Sequence, residues 1–204
     1  MGKTLIFLLT LILPLQATEE LRANETKLFP FTRGKVPVYY YHPSSPPKAI
    51  VIFGSGDGGW SDFENTVCRW LADDGVLVAG IDLADYAKTD YDSATLGADY
   101  SALAESLLKE DTNGELPLIY SGWSMGGTQA IAASSWIGRP ENLQALLILS
   151  ADSRGRYGLR PKDKIGITPT GSGTFRVSDF TARVADFRVI QFHGGIDFMS
   201  STAW

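Results

Sequence analysis

The pentapeptide Gly122-Trp123-Ser124-Met125-Gly126 has the residue types and spacing of a reactive serine. It follows an apolar run, residues 118–120, and precedes a stretch of small residues, 127–137, that predicts a helix. In this strand–turn–helix setting, the serine of a G-x-S-x-G motif is exposed as a nucleophile. The flanking glycines let the strand and the helix pass closely around a strained turn. We therefore predict that Ser124 is a catalytic nucleophile.

A second glycine-rich segment, Gly54-Ser55-Gly56-Asp57-Gly58-Gly59, follows the apolar run 49–53. With Asp82 at the end of the next strand, its G-x-G-x-x-G pattern is compatible with dinucleotide binding. In serine hydrolases of the α/β type, this loop instead supplies one N–H of an oxyanion hole, and the residue after the serine supplies the other. The donors would then be Asp57 and Met125. We favour the oxyanion hole, because the two motifs stand on successive strand–helix turns, and we expect no cofactor.

The nucleophile also needs an acid and a base. The segment His193-Gly194-Gly195-Ile196-Asp197 closes the last apolar run with an H-G-x-x-D pattern, which predicts Asp197 as the carboxylate that orients an imidazole. Asp152, just past the preceding strand, is the alternative acid. We expect His193 to pack behind the acid and His42 to lie in a surface loop, so neither is predicted to be the base. Since the base follows the acid in this triad order, we expect the catalytic histidine outside this chain. The chain is then a C-terminally shortened hydrolase or, as the less favoured alternative, a natural pseudoenzyme.

Apolar runs that alternate with helical patterns are expected to position these residues. Residues 26–31 and 35–41 predict a hairpin, and residues 49–53, 76–81, 118–120, 145–149 and 188–192 predict further strands. Ser61 and Glu64 form a predicted capping box at the start of the first helix. Continuous apolar runs are typical of parallel strands covered on both faces. We therefore predict an α/β sandwich, a mostly parallel sheet with helices on both faces, that lacks its last strand and helix.

The length and composition indicate one globular domain. The chain has 204 residues, of which 44% are hydrophobic and 20% charged. Its net charge of −5 gives no reason to expect a nucleic-acid partner. The single cysteine, Cys68, excludes an internal disulfide and is predicted to be a buried structural thiol.

The first 17 residues have the pattern of a secretory signal peptide. Lys3 precedes an apolar core over residues 5–13, and Ala17 is a small residue at a plausible cleavage point. The core is too short to span a bilayer comfortably, so we expect no membrane anchor in the mature chain. The expected organisation is a signal peptide over 1–17 and one domain over 18–204, exported to the periplasm or secreted.

A basic segment separates the last two predicted strands and carries Arg154, Arg156, Arg160, Lys162 and Lys164. We expect a solvated connection. The alternative is a lid that attracts an anionic substrate, because a local cluster can act against the negative net charge.

The string Ser55-Gly56-Asp57-Gly58-Gly59-Trp60, together with the Ser124 pentapeptide, resembles the VirJ/AcvB virulence-protein branch of the α/β-hydrolases. The resemblance is close over residues 36–137 and looser beyond, and Trp123 stands where that branch more usually has tyrosine or histidine. It implies a periplasmic serine hydrolase. AcvB-like members imply esterase activity on aminoacylated phosphatidylglycerol, such as its lysyl form. VirJ-like members imply a link to type IV secretion, and with it the alternative that the chain is a non-catalytic periplasmic adaptor.

Overall fold

Two β-sheets organise the computed structural model, which describes residues 21–111, 115–165 and 167–194. The strands in chain order are β1 (Glu25–Phe31), β2 (Gly34–Tyr41), β3 (Ala49–Gly54), β4 (Val76–Ile81), β5 (Leu118–Trp123), β6 (Leu143–Leu149), β7 (Arg154–Arg156), β8 (Thr174–Arg176) and β9 (Arg188–Phe192). The main sheet has the order β1-β2-β4-β3-β5-β6-β9, and β7 and β8 form a separate pair. The β1–β2 and β2–β4 pairs are antiparallel, and every other pair in the main sheet is parallel.

Helices cover both faces of the main sheet. They are α1 (Asp62–Asp73), α2 (Leu83–Tyr86), α3 (Ser93–Asp111), α4 (Met125–Ser134) and α5 (Thr181–Val184), with short 3-10 helices at Asp163–Ile165 and Val177–Phe180. One apolar cluster lies between the sheet and α1, and a larger one joins the opposite face to α3 and α4. Strands β3 and β4 are almost wholly buried, because helices pack on both sides of them. The predicted mostly parallel α/β sandwich is confirmed. Within the described residues, no helix is long and apolar enough to cross a membrane.

The start of α1 shows how local sequence sets a helix boundary. Ser61 is the N-cap residue and Glu64 completes the predicted capping box. Further along the helix, Cys68 is fully buried against the sheet. Burial raises the pKa of its thiol well above the usual range, so this thiol is a poor nucleophile at neutral pH. The prediction of a buried structural cysteine is therefore confirmed.

The helix α4 ends earlier than its sequence predicts. The apolar and small residues continue to Ile137, but the helix ends at Ser134, and Ile137 is 86% exposed. The hydroxyls of Ser134 and Ser135 donate to the carbonyl oxygens of Ile131 and Ala132, three residues back, at 2.8 and 2.7 Å. Serine hydroxyls that bond to nearby carbonyls compete with the helical pattern. The prediction for the end of this helix was wrong for that reason.

The strand order places a crevice beyond the carboxyl ends of the parallel strands. After β3, the chain passes through α1 to β4 on one side, and through α3 it returns to β5 on the other side of β3. Ligands of open α/β sheets bind at such a reversal, beyond the carboxyl ends of the strands. The candidate residues of the site follow the carboxyl ends of β3, β5 and β6.

Candidate active site

Ser124 occupies the turn between β5 and α4 in a backbone conformation that L-residues rarely adopt. Its φ is 52° and its ψ is −116°, and a non-glycine residue held there stores about 1–3 kcal/mol of strain. The turn is fixed to the next strand, because the Ser124 N–H donates to the carbonyl oxygen of Leu149 at 2.9 Å. The Ser124 side chain makes no capping bond to α4, and it is half-buried along a cavity. The strand–turn–helix arrangement predicted around Ser124 is present.

The glycines on either side of Ser124 are required by contact between backbones. A Cβ atom at Gly126 would lie 2.0 Å from the carbonyl oxygen of Gly54 and 2.8 Å from that of Ser55. A Cβ atom at Gly122 would lie 2.4 Å from the carbonyl carbon of Gly126. Because these neighbours are backbone atoms, no rotamer change can relieve the overlap. The two glycines thus let β5 and α4 pass each other and touch the end of β3.

Residues 54–60, called here the loop 54–60, form a compact turn beside Ser124. The Gly59 N–H donates to the Gly56 carbonyl oxygen at 3.1 Å, and Gly59 has a φ of 88°. The buried Ser55 hydroxyl donates to the same Gly56 oxygen at 3.1 Å. Trp60 closes the loop by packing over Gly80, where a Cβ atom would lie 1.9 Å from its ring. The glycine–tryptophan string is therefore used to shape this loop.

The two predicted oxyanion donors, Asp57 and Met125, line the same cavity as Ser124. Met125 is the first residue of α4, and the first N–H groups of a helix have no acceptor within it. Asp57 is half-buried, and this burial is the main cause that raises the pKa of its carboxyl group. The backbone N–H groups of Asp57 itself and of Gly58 act in the opposite direction and lower this pKa.

The alternative acid lies in the cavity, whereas Asp197 lies outside the described residues. Asp152 follows β6, is half-buried and lines the cavity with Ser124. Its Oδ1 accepts the Ser153 N–H at 2.5 Å, and its Oδ2 accepts the Thr168 hydroxyl at 3.5 Å. Asp152 is thus a carboxylate within reach of the candidate site. The predicted signal segment, 1–17, also lies outside the described residues.

The two histidines take different places. His42 follows β2, its N–H donates to the Asn24 side chain, and its Nε2 lies 3.6 Å from the Glu25 carboxylate. His193 follows β9 and is half-buried. Among the described residues that line the cavity there is neither His42 nor His193. The structure therefore brings neither of them to Ser124.

The segment between β6 and β9, called here the lid, is held by a buried arginine. Arg156 is 6% exposed, its Nε donates to Asp163 at 3.0 Å, and its other nitrogens donate to the carbonyl oxygens of Thr170 and Ser172. The Arg160 guanidinium pairs with Asp90 at 2.5 Å. Two of the five cations in the basic segment are therefore used within the protein. Arg154, Lys162 and Lys164 are exposed, and of these Arg154 lines the cavity.

The cavity beside Ser124 has a volume of about 370 Å³, within the usual range for a small-molecule site. One wall is Trp123, which packs on Gly56 and on Phe63 with ring centroids 4.7 Å apart. The remaining apolar lining comes from α4 and the lid, namely Met125, Leu159, Ile167 and Pro169. The sequence analysis gave Arg154 and Arg156 as part of its lid alternative, but it did not identify the other lining residues Ser150, Leu159, Ile167 and Pro169. No periodic pattern in the sequence identifies these residues, because their place along the cavity depends on how the lid folds back.

The geometry of the loop 54–60 weighs against dinucleotide binding. Its Gly56 N–H donates to the buried Glu64 carboxylate at 3.3 Å, so it is not directed at a pyrophosphate. A carboxylate at that position would also repel a phosphate group. Within the described residues, no group of three or more histidine, cysteine, aspartate or glutamate side chains could hold a metal ion.

Solved structures of other proteins share this fold. The esterase domain of a Rhodothermus marinus protein is 17% identical with a TM-score of 0.61, and the match covers 87% of this chain and 79% of that one. A soluble variant of monoglyceride lipase from Saccharomyces cerevisiae is 16% identical with a TM-score of 0.59, covering 88% and 79%. A thermostable carboxyl esterase from Bacillus coagulans is 23% identical with a TM-score of 0.53, covering 64% of this chain and 45% of its own. The match therefore spans less than half the length of the Bacillus enzyme. At these identities the likeness shows the α/β-hydrolase fold alone.

Sequence comparison assigns the family. No curated protein matches the chain. The family model described as bacterial virulence protein (VirJ) matches residues 48–194. The match includes the loop 54–60, Ser124 and the lid. It continues past residue 137, where the close part of the sequence resemblance described above ends. Because the match spans well over half of the sequence, the chain belongs to the VirJ family of bacterial virulence proteins.

Proposed function

We propose that this protein is a serine hydrolase that cleaves carboxylic esters through an acyl intermediate on Ser124. The observation that carries the proposal is the strained Ser124 backbone, with φ 52° at a glycine-lined strand–helix turn beside a cavity of about 370 Å³. Such strain is retained where the surrounding structure enforces it, and it clusters at active sites. The esterase and lipase folds of the solved relatives are consistent with this reaction class.

In the proposed reaction, the Ser124 Oγ attacks the ester carbonyl carbon while its proton passes to a general base. The carbonyl oxygen becomes negative and accepts hydrogen bonds from the N–H groups of Met125 and Asp57. When the intermediate collapses, the bond to the alcohol oxygen breaks and the alcohol leaves with the proton from the base. Water then attacks the acyl carbon and gives a proton to the base. The bond between the acyl carbon and the Ser124 Oγ breaks, the carboxylic acid leaves, and Oγ takes the proton from the base.

The acid of the proposed triad is Asp197, with Asp152 as the alternative. Either carboxylate would orient the imidazole and stabilise its protonated form. The position of Asp152 along the cavity supports the alternative. The base is a histidine, and we assign it to neither His42 nor His193.

The substrate that we propose within this class is a lipid ester with an amino group, such as aminoacylated phosphatidylglycerol. Trp123 and Ile167 offer apolar surface for the lipid portion. Asp57 and Asp152 offer carboxylates for an ammonium group, and the exposed Arg154 offers a cation for the phosphate. Vesicles that contain lysyl-phosphatidylglycerol should release lysine when the protein is added. Equally fast hydrolysis of a simple neutral ester of the same chain length would contradict this choice of substrate.

The site of action that we propose is the periplasm or the cell exterior, since residues 1–17 have a signal-peptide pattern. Fractionation of cells that make the full-length protein would locate it. Recovery from the cytoplasm alone would contradict export.

A fluorophosphonate probe tests the nucleophile directly. The full-length protein should form an adduct that peptide mass spectrometry maps to Ser124, and Ser124→Ala should abolish it. Ser150 lines the same cavity and also has a positive φ of 45°, so Ser150→Ala is the matched control and should still react. If the wild-type protein forms no adduct, the proposal fails. A wild-type phenotype for Ser124→Ala in the producing bacterium would favour the non-catalytic adaptor that binds a secretion component.

A further inference from the structure

A buried carboxylate joins the two ends of the segment that carries Asp57. Glu64 is 0% exposed, although it is an acidic residue on the first turn of α1. Its Oε1 accepts the N–H of Gly56 at 3.3 Å. Its Oε2 accepts the N–H of Ser61 at 3.0 Å and also the Ser61 hydroxyl. Both carboxylate oxygens are therefore used, one at each end of residues 56–61.

Helix capping accounts for only half of this arrangement. A capping box requires the bond from the Ser61 N–H to Glu64, three residues later. It does not require the bond from Gly56, which lies eight residues before Glu64 in the buried part of the loop 54–60. No described residue forms an ion pair with Glu64. A buried charge without a cation is costly unless several donors stabilise it, and here the donors come from the loop.

We propose that Glu64 is a positioning residue that fixes the loop 54–60 so that the Asp57 N–H is directed at the reacting oxygen. This inference rests on the serine hydrolase function proposed above. Asp57 is the residue next to Gly56, so the bond from the Gly56 N–H to Glu64 restrains the peptide plane that precedes the Asp57 N–H. An oxyanion donor contributes fully only when it is held in place before the charge develops, and loss of one donor lowers kcat by about 100-fold or more.

Glu64→Gln tests this role with almost no change in shape. The amide has one acceptor oxygen and one NH₂ donor, so the N–H groups at one end of the segment lose their acceptor and face another donor. Asp99→Asn is the matched control. Asp99 is 3% exposed and accepts the Thr32 N–H at 2.9 Å, the Thr32 hydroxyl at 2.7 Å and the Tyr86 hydroxyl at 2.8 Å, on the hairpin side of the molecule. Both substitutions remove one buried carboxylate that accepts a backbone N–H, but Asp99 makes none of its bonds with the loop 54–60.

The experiment measures the rate constant of fluorophosphonate labelling and the final labelled fraction in the full-length protein. Glu64→Gln should lower the rate constant by about 10-fold or more while the labelled fraction stays at the wild-type level. With a soluble ester, kcat should fall and KM should stay the same, because the lost interaction acts in the transition state. Asp99→Asn should retain the wild-type rate constant within about twofold. A purely structural role for Glu64 would lower the labelled fraction and leave the rate constant unchanged, which would overturn the proposal.

Hydrogen exchange separates this inference from the proposed function. The amides of residues 54–60 should exchange faster in Glu64→Gln than in Asp99→Asn. If the wild-type protein reacts and Glu64→Gln reacts equally fast, the inference is overturned while the proposed function stands. If the wild-type protein fails to react, the proposed function fails and the positioning of an oxyanion donor by Glu64 fails with it. Hydrogen exchange still reports whether Glu64 holds the loop. Should Glu64→Gln not fold, Glu64→Asp provides the same comparison, because it keeps the charge but is too short to reach both ends.

Discussion

Replacing Ser124 with glycine should stabilise the protein while it removes the candidate nucleophile. The Ser124 backbone has φ 52° and ψ −116°. Glycine adopts positive φ without the steric conflict that a Cβ atom creates. The Ser124 side chain makes no capping bond to α4, so its removal costs the helix no cap. The structure thus separates the chemical role of this residue from its effect on folding.

The size of the effect follows from two opposing contributions. Relief of strain at a positive-φ position is worth about 1–3 kcal/mol. The greater freedom of glycine in the unfolded chain costs about 0.4–1 kcal/mol. The two ranges leave a net gain in the free energy of unfolding of about 0–2.6 kcal/mol, with a midpoint of about 1.3 kcal/mol. For a chain of 204 residues, each kcal/mol shifts Tm by about 2–4 °C, so a gain of about 1.3 kcal/mol should raise Tm by about 3–5 °C.

Calorimetry and urea unfolding of Ser124→Gly and Ser124→Ala provide the measurement. Both variants lack the hydroxyl, but alanine keeps the Cβ atom and therefore the strain. We expect Ser124→Gly to unfold at a higher temperature and a higher urea concentration than Ser124→Ala. Equal stabilities for the two variants would refute the argument that the turn stores strain at this residue.

Three further predictions concern the surroundings of the site. Gly126→Ala places a Cβ atom 2.0 Å from a backbone oxygen and should cost about 3 kcal/mol of unfolding free energy. The control Gly58→Ala, whose Cβ atom would have no atom within 4 Å, should cost less than about 1 kcal/mol. Equal urea midpoints for the two variants would contradict this difference. Arg156→Met breaks an ion pair whose side chains are each 7% exposed and should cost about 3–5 kcal/mol, whereas Arg160→Met breaks an exposed pair and should cost less than about 1 kcal/mol in the same unfolding assay. Because burial raises the pKa of Asp57, the folded state keeps that proton to higher pH than the unfolded chain, and the stability from this group is present at low pH and lost as the pH rises through the folded pKa. Asp57→Asn should therefore lose less stability than the wild type between about pH 4 and pH 7, and an unchanged pH dependence of Tm would argue against it.

The meeting of the candidate residues could be predicted from the sequence. Ser124, Asp57 and Asp152 follow three different apolar runs in the sequence. In the structure all three line one cavity. This required only the direction and order of the strands, which continuous apolar runs and short helical patterns indicate. The capping box at Ser61 and Glu64 was likewise a local pattern, and it is present.

The contacts of the lid could not be predicted, because they depend on residues that are distant in the sequence. Strands of three residues, such as β7 and β8, are too short to show periodicity. Arg156 stands among five similar cations, and its burial depends on Asp163 and on carbonyl oxygens 14 and 16 residues away. For the same reason the bond between Gly56 and Glu64 had no signal in the sequence. Local patterns predicted the elements, and long-range polar contacts decided how the segments between them fold.

Two features that oppose stability border the same cavity. The backbone of Ser124 is strained, and the carboxyl group of Asp57 is held in surroundings that raise its pKa. Glycine in place of Ser124 would relieve the backbone strain, and a neutral residue in place of Asp57 would remove the cost of burying an ionisable carboxyl group. The buried carboxylate of Glu64, next to the same loop, has donors for both of its oxygens. Sequences tend to break local rules at functional sites and to satisfy them around those sites. The convergence of both costs on one cavity, beside a loop whose ends are held by hydrogen bonds, therefore supports the proposal that Ser124 is the nucleophile.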